Sequence, residues 1–325
     1  MLKYAILGFG GLGKVHFGNR EEIKNRTGAE LVAICDVEKS AFEKNTSTNL
    51  GDDNTTLDLS GLNLYTDAAE MFEKEEIDFI ISALPTFIHE KYAVMAMEKG
   101  INVFSEKPMA INYEQGKNML EVARKNNVKL MIGQCVRYGG SFAYIKKLID
   151  SGEYGKVVDA EFYRLGTAPR WSWQNWFLDE TLSGGAALDL HVHDVDFINY
   201  AFGRPKAVCS TATNFVTKHD SMQTIYYYDD VTVTAKGAWG YAHTYPFHAE
   251  YRIRFEKASF ELNSKGFLRY LNEGEPEKIG PFSTNNYLEE VVDFIGCIEN
   301  DTESKINPPD CDGLRTTVCA IIIKT

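Results

Sequence analysis

The segment Tyr4-Ala5-Ile6-Leu7-Gly8-Phe9-Gly10-Gly11-Leu12-Gly13 is a short apolar run ending in spaced glycines close to the amino terminus, and it restricts the fold more than any other stretch. A run of this kind reads as a buried strand. The three spaced glycines serve different ends. Gly8 permits the tight turn out of the strand, Gly10 lets the backbone approach a pyrophosphate, and Gly13 allows a helix to pack closely on the strand. The helix that follows offers unpaired N–H groups and the positive end of its dipole to phosphates. Phe9, Gly11 and Leu12 complete the turn and join the candidate cofactor-binding residues. A second apolar run, Glu30–Cys35, leads into Asp36, about 20 residues past the last glycine, as a ribose-binding carboxylate should. That acid would accept from an adenosine 2′-hydroxyl and repel a 2′-phosphate, so NAD is expected in preference to NADP.

Short apolar strands and helical stretches alternate over residues 3 to 133, the signature of βαβ units and a parallel sheet. The strands are expected at 3–8, 30–35, 78–83, 101–104 and 129–133, and the helices at 11–26, 38–45, 66–74, 88–99 and 112–126. Asn45 to Asn63 is polar and reads as a surface excursion. After a helical segment at 141–151 the pattern changes to runs rich in β-branched and aromatic residues, at 157–165, 207–217, 222–228, 231–239, 248–255, 259–262 and 267–271. Helices are expected at 186–202, 286–299 and 312–324. The fold class is therefore α/β plus α+β: a Rossmann doubly wound parallel sheet over 1–133, then a mostly antiparallel β-sheet domain over 134–325, which is expected to serve substrate binding and oligomerisation. Alternating aromatics such as Tyr226, Tyr228 and Trp239 suggest a sheet face too apolar to stay wet, which points to self-association.

With 325 residues and a formal charge of −12, the chain has room for two cores and lacks the basic footprint of a nucleic-acid binder. No apolar run is long enough to span a bilayer, and no membrane partner is expected. The six cysteines are scattered without CxxC spacing, which reads as reduced thiols in a cytoplasmic protein.

Two clusters carry chemistry. Glu106-Lys107-Pro108 follows an expected strand, at the carboxyl edge of the parallel sheet where ligands bind in open α/β folds. A lysine there can stabilise an alkoxide-like oxygen, although a solvated surface lysine would look the same in sequence. The second cluster runs from Gly184-Gly185 through Asp189, His191, His193, Asp194 and Asp196. On a continuous helix Asp189, His193 and Asp196 share one face, and an aspartate one turn from a histidine can fix the imidazole tautomer. The alternative is a capped helix with a buried histidine. Histidines two apart diverge on a helix, so no metal is expected. Pro85, Thr86 and His89, just after the expected 78–83 strand, would face the ribose or nicotinamide. Trp171, Trp173 and Trp176, beside Arg170, are the kind of rings on which sugars stack, or they are core packing.

These motifs in this order resemble the glucose–fructose oxidoreductase / inositol dehydrogenase family, written Gfo/Idh/MocA. The resemblance rests on GFGGLG, Asp36, Ser82-Ala83-Leu84-Pro85-Thr86 with His89, Glu106-Lys107-Pro108, and Ser183-Gly184-Gly185 leading to Asp189 and His193. It implies an open-faced sheet domain, homodimers or homotetramers through that sheet, and oxidation or reduction of a secondary alcohol of a sugar, cyclitol or related polyol with NAD or NADP. By position, Lys107 matches the family's active-site lysine, Asp189 its substrate-orienting aspartate and His193 its acid/base histidine. Glu106 matches a residue neighbouring the cofactor, and Ala83, with Pro85, Thr86 and His89, is among the candidate cofactor-binding residues. His191 stands where the family often carries glycine, which would make the pocket narrower or more polar. Two rivals remain: a non-catalytic NAD-binding sensor, and NAD-assisted glycoside cleavage on the same fold.

Overall fold

The structure is a computed structural model that describes residues 1–43 and 57–308, so the expected 312–324 helix and most of the 45–63 excursion lie outside the described residues. The chain folds into two compact units, which are not consecutive halves. The first holds Met1–Gln134, Trp171–Trp176 and the described residues from Tyr287 onward; the second holds Cys135–Arg170 and Phe177–Asn286.

The first unit is built on β1 (Lys3–Leu7), α1 (Gly11–Gly18), α2 (Arg20–Thr27), β2 (Glu30–Cys35), β3 (Asn63–Tyr65), α3 (Ala68–Lys74), β4 (Phe79–Ser82), α4 (His89–Met97), β5 (Asn102–Glu106), α5 (Tyr113–Asn126) and β6 (Leu130–Gly133). Its six strands are all parallel in the order β3-β2-β1-β4-β5-β6, the doubly wound topology. Because side chains alternate across a strand, the sheet has two apolar faces. Ala5, Leu7, Ile80, Val103 and Ile132 meet α3, α4 and α5 through Met71, Met97 and Met119. Tyr4, Ile6, Phe79, Ile81 and Phe104 meet the other side through Phe17, Ile23 and Phe294.

The second unit contains α6 (Gly140–Ser151), β7 (Val157–Thr167), α7 (Glu180–Ser183), α8 (Gly185–Leu188), α9 (Val192–Phe202), β8 (Ala207–Thr213), β9 (Ser221–Tyr227), β10 (Thr232–Tyr241), β11 (His248–Phe255), β12 (Ala258–Asn263), β13 (Gly266–Leu271) and β14 (Glu277–Ile279). Helix α10 (Asn286–Asn300) follows, and supplies Phe294 to the first unit. The eight strands run β14-β13-β12-β11-β7-β10-β9-β8, antiparallel at every junction except β7 with β10. Helices α6 and α9 lie on one face: Phe142 meets Phe197 at 4.8 Å and Tyr251 at 4.9 Å between ring centroids, both edge-on. Two arginines fix α9 from beneath. Arg137 forks onto Asp196 at 2.8 and 2.6 Å, and Arg164 of β7 onto Asp194 at 2.9 to 3.2 Å, all fully or almost fully buried.

Several expectations need correction. Tyr226 and Trp239 are buried inside the second unit, at 1% and 2% exposure, so they say nothing about an outer surface. Along β9, Met222, Thr224 and Tyr226 turn inward while Gln223, Ile225 and Tyr227 turn outward. Alternation predicts two faces but not which of them is the core. The 207–217 strand stops at Thr213 because the backbone N–H groups of Phe215, Val216 and Thr217 turn onto the buried carboxylate of Asp220. The 11–26 helix breaks at Asn19, next to Gly18. Only a 3₁₀ turn, Lys39–Phe42, occupies the described part of the 38–45 helix. Strands β3 and β14, three residues each, escaped notice because so short a segment shows no period.

Candidate active site

The glycine turn behaves as three separate solutions to three steric problems. Gly8 sits at φ +90°, and a Cβ there would lie 2.6 Å from the Ala83 carbonyl oxygen. At Gly13 a Cβ would come within 2.0 Å of the Gly8 carbonyl oxygen, so α1 rests directly on the turn. Around Gly10 a Cβ would meet nothing within 4 Å, and the residue is exposed. The open space over Gly10 is the cradle that a pyrophosphate would fill, and the turn fits a dinucleotide. Phe9, by contrast, is fully buried, and its ring packs edge-on against Phe17 at 5.5 Å. Gly11 and Leu12, the first residues of α1, are half-buried.

Asp36 is held in place before any ligand arrives. Its carboxylate accepts from the Phe9 N–H at 2.6 Å and from the Glu38 N–H at 2.8 Å, which ties the end of β2 to the glycine turn. Lys14, on the next turn of α1, is a cation that sequence reasoning passed over. Burial pushes its ammonium below the ordinary lysine range, and Asp36 pulls it part of the way back.

At the end of β4, Ala83 donates its N–H to the Leu7 carbonyl at 2.8 Å, and Thr86 is buried at the start of a 3₁₀ turn preceded by Pro85. His89 does not face a ligand. It is 1% exposed and wedged between two loops, with Nδ1 2.8 Å from the Pro108 carbonyl and Nε2 2.7 Å from that of Leu84, and the neutral ring donates its one N–H to one of these carbonyls. Burial lowers its pKa, against the pull of those carbonyls.

The Lys107–Pro108 bond is cis, and Lys107 is half-buried just beyond the carboxyl end of β5. Its N–H lies 3.3 Å from Glu106 Oε2, whose other oxygen is 2.8 Å from His16 Nε2. Glu106 is thus turned inward, at 3% exposure. His16, Glu106 and Glu290 form a buried cluster with one polar atom of each within 4.8 Å of the others. Sequence reasoning missed this cluster, since nothing local links a helix at residue 16 with one at residue 290.

In the second unit the Asp189 segment is not one continuous helix. Asp189 caps α8, Leu190 and His191 both donate to the Ala186 carbonyl, and α9 begins at Val192. The face proposed from helical spacing therefore dissolves: Asp196 belongs to Arg137 beneath the helix, while Asp189 and His193 stay half-buried. His191 is fully buried, 3.5 Å from Asp194, and a Cβ on Gly237 of β10 would lie 2.7 Å from its Nδ1. It fills a slot in the sheet rather than narrowing a pocket. Burial would push the Asp194 carboxyl up, but Arg164 and His191 hold it below the usual carboxylate range.

Residues 2–134 match the family model described as oxidoreductase family, NAD-binding Rossmann fold, and residues 142–261 match the GFO/IDH/MocA C-terminal domain. The chain belongs to the Gfo/Idh/MocA oxidoreductase family. Among curated proteins this family member is similar to 2,7-anhydro-N-acetylneuraminate hydratase of Mediterraneibacter gnavus, 28% identical over 214 residues that cover 65% of this chain and 52% of that one. It is also similar to inositol 2-dehydrogenase of Rhizobium meliloti, 26% identical with 98% of this chain and 94% of that one covered. Against the hydratase, the chain spans about half of the relative's length. The WlbA dehydrogenase of Bordetella pertussis, solved with NADH and UDP-GlcNAcA, shares the fold at a TM-score of 0.79 and 20% identity, over 99% of this chain and 95% of that one.

Proposed function

We propose that the protein is an NAD-dependent oxidoreductase acting on a secondary alcohol of a sugar, cyclitol or related polyol. One observation carries the choice of acid/base residue. Of the five titratable side chains between Asp189 and Asp196, three are buried in contacts of the sheet and its arginines, and only Asp189 and His193 reach solvent. Lys107 supplies the remaining charge from the edge of the parallel sheet, where such folds bind their ligands.

The bound dinucleotide would donate or accept the hydride. In the oxidation direction His193 takes the hydroxyl proton, Lys107 stabilises the oxygen as negative charge develops on it, and Asp189 orients the imidazole or a neighbouring hydroxyl. Replacing Lys107 with Met or His193 with Asn is expected to lower kcat by about a hundredfold or more, the usual scale for an acid/base group. NAD affinity, measured by calorimetry, should stay within about twofold of wild type, a difference of under about 0.5 kcal/mol. Turnover on a panel of polyols and sugars that stays at the wild-type rate in both variants would remove them from the mechanism. NAD binding with no turnover of any panel member would favour the sensor.

Self-association through the second unit's sheet is part of the same proposal. Its support is the outward face of β9, where Ile225 and Tyr227 are 38% and 48% exposed, and light scattering on the intact chain tests it. The buried, reduced thiols of Cys35, Cys135 and Cys297 suit a reducing, cytoplasmic setting. No described helix is long and apolar enough to cross a membrane.

A further inference from the structure

Between β7 and α7 the chain leaves the second unit for only six residues, Trp171–Trp176, which pack with the first unit. Both anchors of this excursion lie at the carboxyl edge of the parallel sheet. Trp173 Nε1 donates to Glu38 Oε1 at 3.2 Å, and Glu38 follows the ribose-directed Asp36 by two residues. Trp176 meets Phe87, in the turn after β4, edge-on at 6.3 Å.

The strand order turns these two contacts into a position. Strands β2 and β4 flank β1, so a segment anchored beyond the ends of both passes over the end of β1, where the glycine turn lies. The span between the flanking strands is two strand spacings, roughly 10 Å, which a three-residue step bearing two indoles covers. The backbone is bent to fit: Gln174 and Asn175 both adopt left-handed conformations, at φ 49° and 55°. Side-chain-bearing residues rarely hold that conformation, and consecutive ones cluster where a segment does more than connect its neighbours. Trp171 and Trp173 nonetheless remain 45% exposed, large rings left partly in water beside the cofactor edge.

We propose that Trp171–Trp176 is a clasp across the dinucleotide crevice, and that Trp173, held by Glu38, binds the adenosine half of the cofactor. The indole offers a flat apolar surface to the purine, and Glu38 adds a second carboxylate beside Asp36 that disfavours a 2′-phosphate. The proposal rests on the dinucleotide reading of the glycine turn, and the test separates the two.

The test is calorimetric titration of the full chain with NAD, ADP-ribose and nicotinamide mononucleotide, for wild type, Trp173→Ala and Trp173→Phe. Wild type is expected to bind NAD and ADP-ribose, and Trp173→Ala to weaken both by about tenfold. Trp173→Phe, which keeps a ring but not the N–H, should fall between them, and nicotinamide mononucleotide should be indifferent to all substitutions. In the wild type, ADP-ribose should also protect tryptophan fluorescence from acrylamide quenching, a readout that needs no variant. If wild type binds ADP-ribose but Trp173→Ala holds it within twofold, or the indoles stay equally quenchable, the clasp is refuted while the cofactor site stands. If wild type binds neither NAD nor ADP-ribose, the dinucleotide reading itself fails, and the clasp with it.

Discussion

Replacing Gly10 and Gly13 separately with alanine should move stability and NAD affinity in different ways, because the two glycines answer different constraints. At Gly13 the added Cβ falls 2.0 Å from the Gly8 carbonyl oxygen and 3.0 Å from its carbon, and both are backbone atoms that cannot rotate aside. Helix α1 must lift by more than about 1 Å, and overpacking of that kind costs about 1–3 kcal/mol. At about 2–4 °C per kcal/mol, the thermal transition of the first unit should fall by roughly 2–12 °C. At Gly10 the backbone is extended, at φ −73° and ψ −160°, which alanine adopts without strain, and its Cβ would meet no protein atom within 4 Å. Freezing the unfolded chain should then stabilise the ligand-free protein by about 0.4–1 kcal/mol. The same methyl occupies the space that a pyrophosphate needs. Losing one or two charge-assisted backbone hydrogen bonds costs about 2–4 kcal/mol, a weakening of NAD binding of about 30-fold to 1000-fold. Differential scanning fluorimetry and calorimetric titration on the same preparations read both quantities. A Gly10→Ala protein that binds NAD within threefold of wild type, or a Gly13→Ala protein that melts with wild type, would refute the assignment of these roles.

Two other perturbations test the frame around the site. Arg137→Met leaves the Asp196 carboxylate buried without its guanidinium, which should destabilise the second unit by about 3–5 kcal/mol in chemical denaturation, while Arg137→Met with Asp196→Leu should regain most of the loss. His89 has its folded pKa lowered by burial, so its stabilisation is fully present above the unfolded value of about 6.5 and is lost as pH falls toward the folded value. Wild type should therefore lose stability as pH falls below about 6.5 more steeply than His89→Gln, and melting curves that stay parallel as pH falls would sink the assignment of His89 as buried and neutral.

What was legible in the sequence was whatever a local rule constrains. The glycine turn, Asp36 and the β-α alternation are written in spacings of a few residues, and Gly8, Gly10 and Gly13 each meet the steric condition their positions imply. The Asp189 segment was legible in composition but not in shape. Helical periodicity placed Asp189, His193 and Asp196 on one face, whereas the chain breaks between α8 and α9. The break sets the His191 ring against Gly237, and that contact depends on a strand more than 40 residues further on, outside the reach of any local pattern. Tyr226 and Trp239 failed for a related reason, since which face of a sheet becomes its core is decided by the helices that land on it. His89 looked available because a helix-start histidine usually is, and only the fold brings the Pro108 carbonyl to it.

The return of α10 to the first unit follows from the same non-local logic and bears on Lys107. Leu288, Val291, Phe294 and Ile295 give the helix an apolar stripe that the α1–α2 side of the parallel sheet buries, and apolar burial would suffice to hold it there. Yet the contact also contains Glu290, at 0% exposure, beside His16 and Glu106. A buried polar cluster contributes less to stability than apolar packing of equal volume, so its use is better sought in what it orients. Here it joins three elements: α1, whose first turn follows Gly8 and Gly10; β5, whose next residue is Lys107; and α10. Glu106 is the junction, with one oxygen at His16 Nε2 and the other toward the Lys107 N–H, and a Cβ on Gly133 would lie 3.2 Å from that second oxygen. A shift of α1 relative to the sheet is thus felt at the backbone of the lysine, through hydrogen bonds whose direction a purely apolar contact would not specify. The glycine turn and Lys107 are held in register by a buried polar junction, His16–Glu106–Glu290, rather than by direct contact with each other.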